Sequence, residues 1–210
     1  EASEAIQSIQ NEEDFPKKLE RELAIATAEF YKKQGEYEEA IKYLDIAIKK
    51  TLLKKNKARL QYIIAQLLKE VGRDAEASEA FAAVTKMNPG YKMAFNAKIN
   101  SAGVFTGGDS EKIKKELEKM LRDKKNVDFL DQIYYALGNI YFKEGSRDVA
   151  IDNYRLSVSK SYQNQFQRAL SAVTLADIFF EDLRYRDAQS YYDSAMIIID
   201  ETYPNYQQLA

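Results

Sequence analysis

Neither cysteine nor histidine occurs anywhere in the chain, and each absence closes a class of chemistry. Without cysteine there is no disulfide framework and no thiolate metal site. Without histidine the commonest general base and the commonest imidazole ligand are missing as well. Glycine and proline are scarce, at 8 and 3 of 210 residues, so few turn formers interrupt a composition rich in helix-forming residues. Long apolar runs are lacking too. None is longer than Ala195–Ile199, far below the roughly 20 residues a membrane helix needs. Charge of one sign is also missing: 31 basic residues against 33 acidic ones leave a net charge of −2. That balance gives no electrostatic footprint for nucleic acid or an acidic membrane surface. No nucleic-acid partner, cofactor, metal site or catalytic centre is expected.

What is present is a repeat. Phe30–Ala40 (FYKKQGEYEEA), Tyr141–Ala150 (YFKEGSRDVA) and Phe179–Ala188 (FFEDLRYRDA) share aromatic residues, a short polar turn and an alanine opening a second helix. This pattern resembles the tetratricopeptide repeat, a helical hairpin of about 34 residues. With the turn at position 15, Gly35, Gly72, Gly108, Gly145 and Leu183 place repeat starts at Arg21, Ala58, Ala94, Asp131 and Ala169.

The spacings are 37, 36, 37 and 38. Position 8 is small in Ala28, Ala65, Ser101, Gly138 and Ala176, and position 20 in Ala40, Ala77, Ala150 and Ala188, with Ile113 the exception. Position 24 is large (Leu44, Phe81, Leu117, Tyr154, Tyr192), and position 27 reads Ala47, Val84, Met120, Ser157 and Ala195. Small residues let paired helices approach, and large ones fill the gap to the following repeat.

The expected fold is all-α, a right-handed superhelical solenoid of such hairpins over residues 1–210. A leading helix is expected over residues 1–15 and a longer Gly-rich connection at Val104–Ser110. Both ends read as cut from a longer array: the first residue is Glu1, no apolar signal segment leads, and Met196–Ile199 leaves an apolar turn without a polar cap.

In this register positions 2, 5, 9, 12 and 13 of the first helices line a groove. Position 5 reads Ile25, Tyr62, Lys98, Tyr135 and Val173. Position 9 reads Glu29, Gln66, Ala102, Asn139 and Asp177, and position 12 reads Lys32, Lys69, Phe105, Phe142 and Phe180. Rings interleaved with amides and charges suit an extended peptide or a helix. The candidate protein-binding residues are Tyr62, Gln66, Lys98, Phe105, Tyr135, Asn139, Phe142, Asp177 and Phe180. Aromatics at these positions also pack against neighbouring helices in such repeats.

A carboxylate clamp is excluded, because Ile25 and Glu29 stand where it needs Lys and Asn. Thr106–Ser110 lacks the lysine of a phosphate loop and reads as a connection with a helix cap. Glu12 with Glu13, and Glu181 with Asp182, read as solvated turn residues, and Lys49–Lys57 as a solvated bend.

The segments Asp131–Lys143 (DQIYYALGNIYFK), Ala188–Ser194 (AQSYYDS), Tyr203–Tyr206 (YPNY) and Asn88–Asn96 (NPGYKMAFN) resemble the repeat region of the periplasmic lipoproteins PorW and SprE. That resemblance implies a scaffold of the type IX secretion and gliding machinery of Bacteroidota. It also implies an outer-membrane lipid anchor on a cysteine upstream of this chain, and secretion-complex components as partners. The alternatives are a generic peptide-binding adaptor, for instance cytoplasmic, and an enzyme using carboxylates alone, which the absence of histidine and cysteine disfavours.

Overall fold

The computed structural model describes residues 15–104 and 110–200, together with Ile6, Ser8 and Ile9. Most of the expected leading helix, the Glu12–Glu13 pair, Phe105, residues 106–109 and Tyr203–Tyr206 lie outside the described residues. Among the described residues there are ten α-helices and no strand. Two compact units divide the chain, Glu1–Thr106 and Gly107–Ala210. The division falls in the Gly-rich segment that the sequence marks as an atypical connection.

The first unit holds α1 (Glu20–Gln34), α2 (Tyr37–Lys50), α3 (Lys54–Glu70), α4 (Asp74–Thr85) and α5 (Tyr91–Gly103). Each helix packs on the next in chain order. The second unit holds α6 (Ser110–Arg122), α7 (Leu130–Lys143), α8 (Arg147–Lys160), α9 (Gln165–Glu181) and α10 (Tyr185–Met196). Here too neighbours in sequence pack together, and α7 also touches α9. Lys114 fastens α6 to α7: it is buried, lies 5.1 Å from the Tyr141 ring centre, and pairs with Glu144 at 2.9 Å and Glu111 at 2.5 Å.

One turn device recurs in four hairpins. Gly35, Gly72, Gly145 and Leu183 all take left-handed backbone conformations, with φ of 79°, 75°, 78° and 60°. The residue after each donates its N–H to the carbonyl five positions back: Glu36 to Tyr31, Arg73 to Leu68, Ser146 to Tyr141 and Arg184 to Phe179. These are the terminal bonds of a Schellman closure, which satisfy carbonyls the ending helix leaves open. The carbonyl of that same residue then receives the N–H of Ala40, Ala77, Ala150 or Ala188. The position-20 alanine therefore closes the first bond of the second helix.

The side-chain pattern follows from this geometry. At position 8, Ala28, Ala65 and Ala176 are 3%, 0% and 0% exposed, so nothing larger fits without displacing the partner helix. Position 27 is buried in all five repeats, and position 24 in four, with Tyr192 half-buried at the last. At Ser157 the small residue also serves a polar seam: its hydroxyl donates to the Asp131 carbonyl at 2.8 Å and lies 2.7 Å from the Ser171 hydroxyl, joining α7, α8 and α9. In the third repeat Ile113 is half-buried where the others have a small residue, and its two helices fall in different units.

Leu183 carries a conformation that costs a residue with a Cβ about 1–2 kcal/mol, yet its side chain is 71% exposed and gains little from packing. Leu183→Gly is expected to stabilise the protein by about 1 kcal/mol, and Gly145→Ala to destabilise it by a similar amount. Urea denaturation followed by circular dichroism measures both, and shifts of the same sign would contradict the strain at these turns.

Candidate functional site

In the first unit the candidate surface is built by α1, α3 and α5. Tyr62 on α3 is half-buried, with its ring edge-on to Phe81 at 5.4 Å between centres. Its hydroxyl accepts the Asn100 amide at 3.0 Å, and burial pushes the phenol above its ordinary pKa. Tyr62 therefore links α3 to α5 as well as lining the surface. Gln66 is exposed one turn further on, and Lys98 is half-buried. Ala102, expected on the same face, is instead buried at 1% exposure. It has moved into the packing because α5 meets α4 there, with the Ser78 and Ser101 hydroxyls 3.0 Å apart.

Beside this surface the first hairpin leaves a cavity of about 200 Å³. Its apolar walls come from Ile25, Leu44, Leu60, Ile63 and Leu67, and its charged lining from Glu29 and Lys32. Glu29 and Lys32 are both exposed. No candidate drawn from the sequence includes this space, since it arises from side-chain sizes on three separate helices. The one available signal is that positions 5 and 24 of the first repeat are both aliphatic where the second and fourth repeats carry rings at both.

In the second unit the surface is built by α7 and α9. The Tyr135 hydroxyl lies 3.3 Å from that of Thr174, tying α7 to α9, and its ring leans on Tyr154 at 5.5 Å. Tyr154 donates its hydroxyl to the Asn139 Oδ1 at 2.8 Å. Tyr192 does the same to Asp177 Oδ1 at 2.6 Å. Burial, and then the carboxylate beside it, push the Tyr192 phenol up to about 12. In both cases the position-24 ring of the second helix is received by the position-9 acceptor of the first, 15 residues earlier.

Phe142 and Phe180 differ. The Arg147 guanidinium sits 5.2 Å from the Phe142 ring centre and spans to Glu181 at 3.0 Å, Asp182 at 2.9 Å and the Ile178 carbonyl at 3.2 Å. The Glu181–Asp182 pair, expected as a solvated turn, therefore anchors the arginine of the preceding hairpin. Phe180 is 56% exposed and edge-on to Tyr185 at 5.4 Å.

The structure thus sorts the candidates. Tyr62, Tyr135, Asn139 and Asp177 hold helices together, Phe142 stacks under Arg147, and Gln66 and Phe180 present themselves to solvent; Phe105 lies outside the described residues. No group of three acidic, histidine or cysteine side chains among the described residues converges to hold a metal ion. No helix among them is long and apolar enough to cross a membrane.

The tetratricopeptide repeat family matches residues 26–49, 58–91 and 131–159, and two of these segments begin at repeat starts read from the sequence. The chain therefore carries tetratricopeptide repeats. Among solved structures, the apo form of RapI is similar with a TM-score of 0.70 at 15% identity over 95% of this chain. This chain spans only 59% of RapI. MamA 41-end from Desulfovibrio magneticus RS-1 has a TM-score of 0.56 at 19% identity, covering 85% of this chain and 94% of that one. BtubC (BKLC) from P. vanneervenii has a TM-score of 0.61 at 16% identity, covering 97% and 91%. No curated protein matches the chain in sequence. At these identities the likeness is one of fold.

The tightest fit at the site is between Gly138 and Tyr154, where an added Cβ would lie 2.6 Å from the ring. Gly138→Ala is expected to destabilise the second unit by about 1–3 kcal/mol through overpacking. In a Tyr154→Leu background, which reproduces the Ala28–Leu44 pairing, that penalty is expected to fall by more than about 1 kcal/mol. A double-mutant cycle in urea measures the coupling, and additive effects would contradict the contact.

Proposed function

We propose that this carrier of tetratricopeptide repeats is a non-catalytic scaffold that binds other proteins through the surfaces of its first helices. The observation that carries this is Phe180. A large ring stays 56% exposed at position 12, beside a rigid frame in which Tyr135, Asn139 and Asp177 are already locked by hydrogen bonds. An exposed aromatic on a preorganised surface supplies anchor area at low entropic cost.

The finer proposal places the chain in the periplasm, attached to the outer membrane by a lipid on an upstream cysteine, as a support for a type IX secretion or gliding complex. It rests on the resemblance of Asn88–Asn96, Asp131–Lys143, Ala188–Ser194 and Tyr203–Tyr206 to PorW and SprE. A generic adaptor shares the same fold and the same groove, so the two readings separate on partner and compartment. Deleting the gene in its source organism and assaying secretion and surface gliding tests the finer proposal. Unchanged secretion and motility would leave the adaptor reading.

For the binding surface itself, peptides selected on the intact chain are expected to lose about tenfold or more in affinity on Phe180→Ala. Leu156→Ala, on the exposed side of α8, is expected to leave affinity unchanged. Fluorescence anisotropy measures both, and equal effects of the two substitutions would contradict a groove-centred surface.

A further inference from the structure

The four complete hairpins differ at positions 5, 9 and 24, and the differences decide whether the space between consecutive first helices is filled. In the second repeat the ring of Phe81 meets Tyr62, with Ala65 at position 8. In the fourth, the ring of Tyr154 meets Tyr135 and presses on Gly138. In the first repeat both members of this pair are aliphatic, Ile25 and Leu44, and the missing ring volume reappears as the cavity of about 200 Å³. A cavity of about 150 Å³ lined by aliphatic side chains holds one benzene ring, so one phenol fits here.

The chain also shows how such a ring is received. Twice, a tyrosine at position 24 donates its hydroxyl to the position-9 side chain, Tyr154 to Asn139 and Tyr192 to Asp177. The first repeat has the acceptor without the tyrosine. Glu29 stands at position 9 with its side chain 60% exposed and paired with the Lys33 ammonium only at 4.0 Å, and Leu44 at position 24 has no hydroxyl to offer.

Resting on the proposed role as a protein-binding scaffold, we propose that this cavity is a docking site for one tyrosine side chain of a partner polypeptide. The ring enters between Ile25, Leu44 and Leu67, and its hydroxyl donates to the Glu29 carboxylate. Lys32, exposed beside the opening, and Lys69, exposed at the same position of the next repeat, favour acidic residues flanking that tyrosine.

The intact 210-residue chain, with isotope-labelled Ile and Leu methyl groups, tests this by NMR titration with p-cresol and with toluene. Saturable shifts at the Ile25, Leu44 and Leu67 methyls are expected with p-cresol, and weaker binding of toluene. Glu29→Ala is expected to reduce the preference for p-cresol about tenfold. Leu44→Phe, which copies the Phe81–Ala65 pairing, is expected to fill the cavity and abolish binding while the thermal midpoint stays equal or rises. Acetyl-Glu-Tyr-Glu-amide is expected to bind more tightly than acetyl-Lys-Tyr-Lys-amide. Absence of saturable shifts, retention of p-cresol affinity in Leu44→Phe, or an unchanged p-cresol preference in Glu29→Ala would overturn the tyrosine assignment. So would the reverse order of the two peptides. If the cavity fails these tests while Phe180→Ala still weakens selected peptides, the tyrosine site is wrong and the scaffold stands; if Phe180→Ala also has no effect, the scaffold reading falls with it.

Discussion

Two helices of a hairpin can pack closely only where neither carries bulk, and the remaining features of this chain depend on that contact. Ala28 with Ala40, Ala65 with Ala77, Gly138 with Ala150, and Ala176 with Ala188 supply it at the same register four times, all of them buried. The turn is subordinate to the same demand. A left-handed residue followed by a carbonyl that accepts the alanine N–H lets the chain reverse within two residues. Leu183 shows the strength of the constraint, since a leucine takes the left-handed conformation rather than let the turn open. Where the small residue is replaced, at Ile113, the two helices of the hairpin fall into different compact units.

Once the hairpins are fixed, the surface is decided by the size of what projects from them. Tyr154 is long enough to reach across its hairpin to Asn139 and requires a glycine beneath it. Phe81 reaches less far and tolerates Ala65 beneath it. Leu44 reaches least, and a cavity opens where the ring would be. The same backbone thus presents a sealed, hydrogen-bonded face at the fourth repeat and a receptive one at the first. Polar links such as Tyr62 to Asn100 and Arg147 to Asp182 fix the spacing between consecutive hairpins. The surface is therefore preorganised, which lowers the cost of binding.

Much of this was legible in the sequence. Gly35, Gly72 and Gly145 mark the turns by residue type, and Leu183 is placed as a turn by register alone. The small residues at positions 8 and 20 of the four complete hairpins follow because the close approach of two helices within one hairpin sets them, so a fixed spacing captures them. The site was less legible. The register reads Tyr62, Tyr135, Asn139 and Asp177 as groove residues, but their hydrogen-bond partners are 15 to 39 residues away, on other helices. Spacing gives no sign that these groups are already engaged. The register puts Ala102 in the groove, yet it is buried where α5 packs on α4 beside the Ser78–Ser101 contact. The cavity was hidden for a related reason: it is a deficit of volume shared by Ile25 and Leu44, and each of those residues is ordinary by itself.

The central claim is that partners dock on the first-helix faces of the hairpins. Site-specific photo-crosslinking tests it most directly, with a photoreactive phenylalanine analogue placed in turn at Gln66, Phe180, Leu156 and Val149 of the intact chain in its native cells. The account predicts adducts with partner proteins from Gln66 and Phe180, and none from Leu156 and Val149, which are exposed on the second helix α8. Adducts from the α8 positions alone would contradict it.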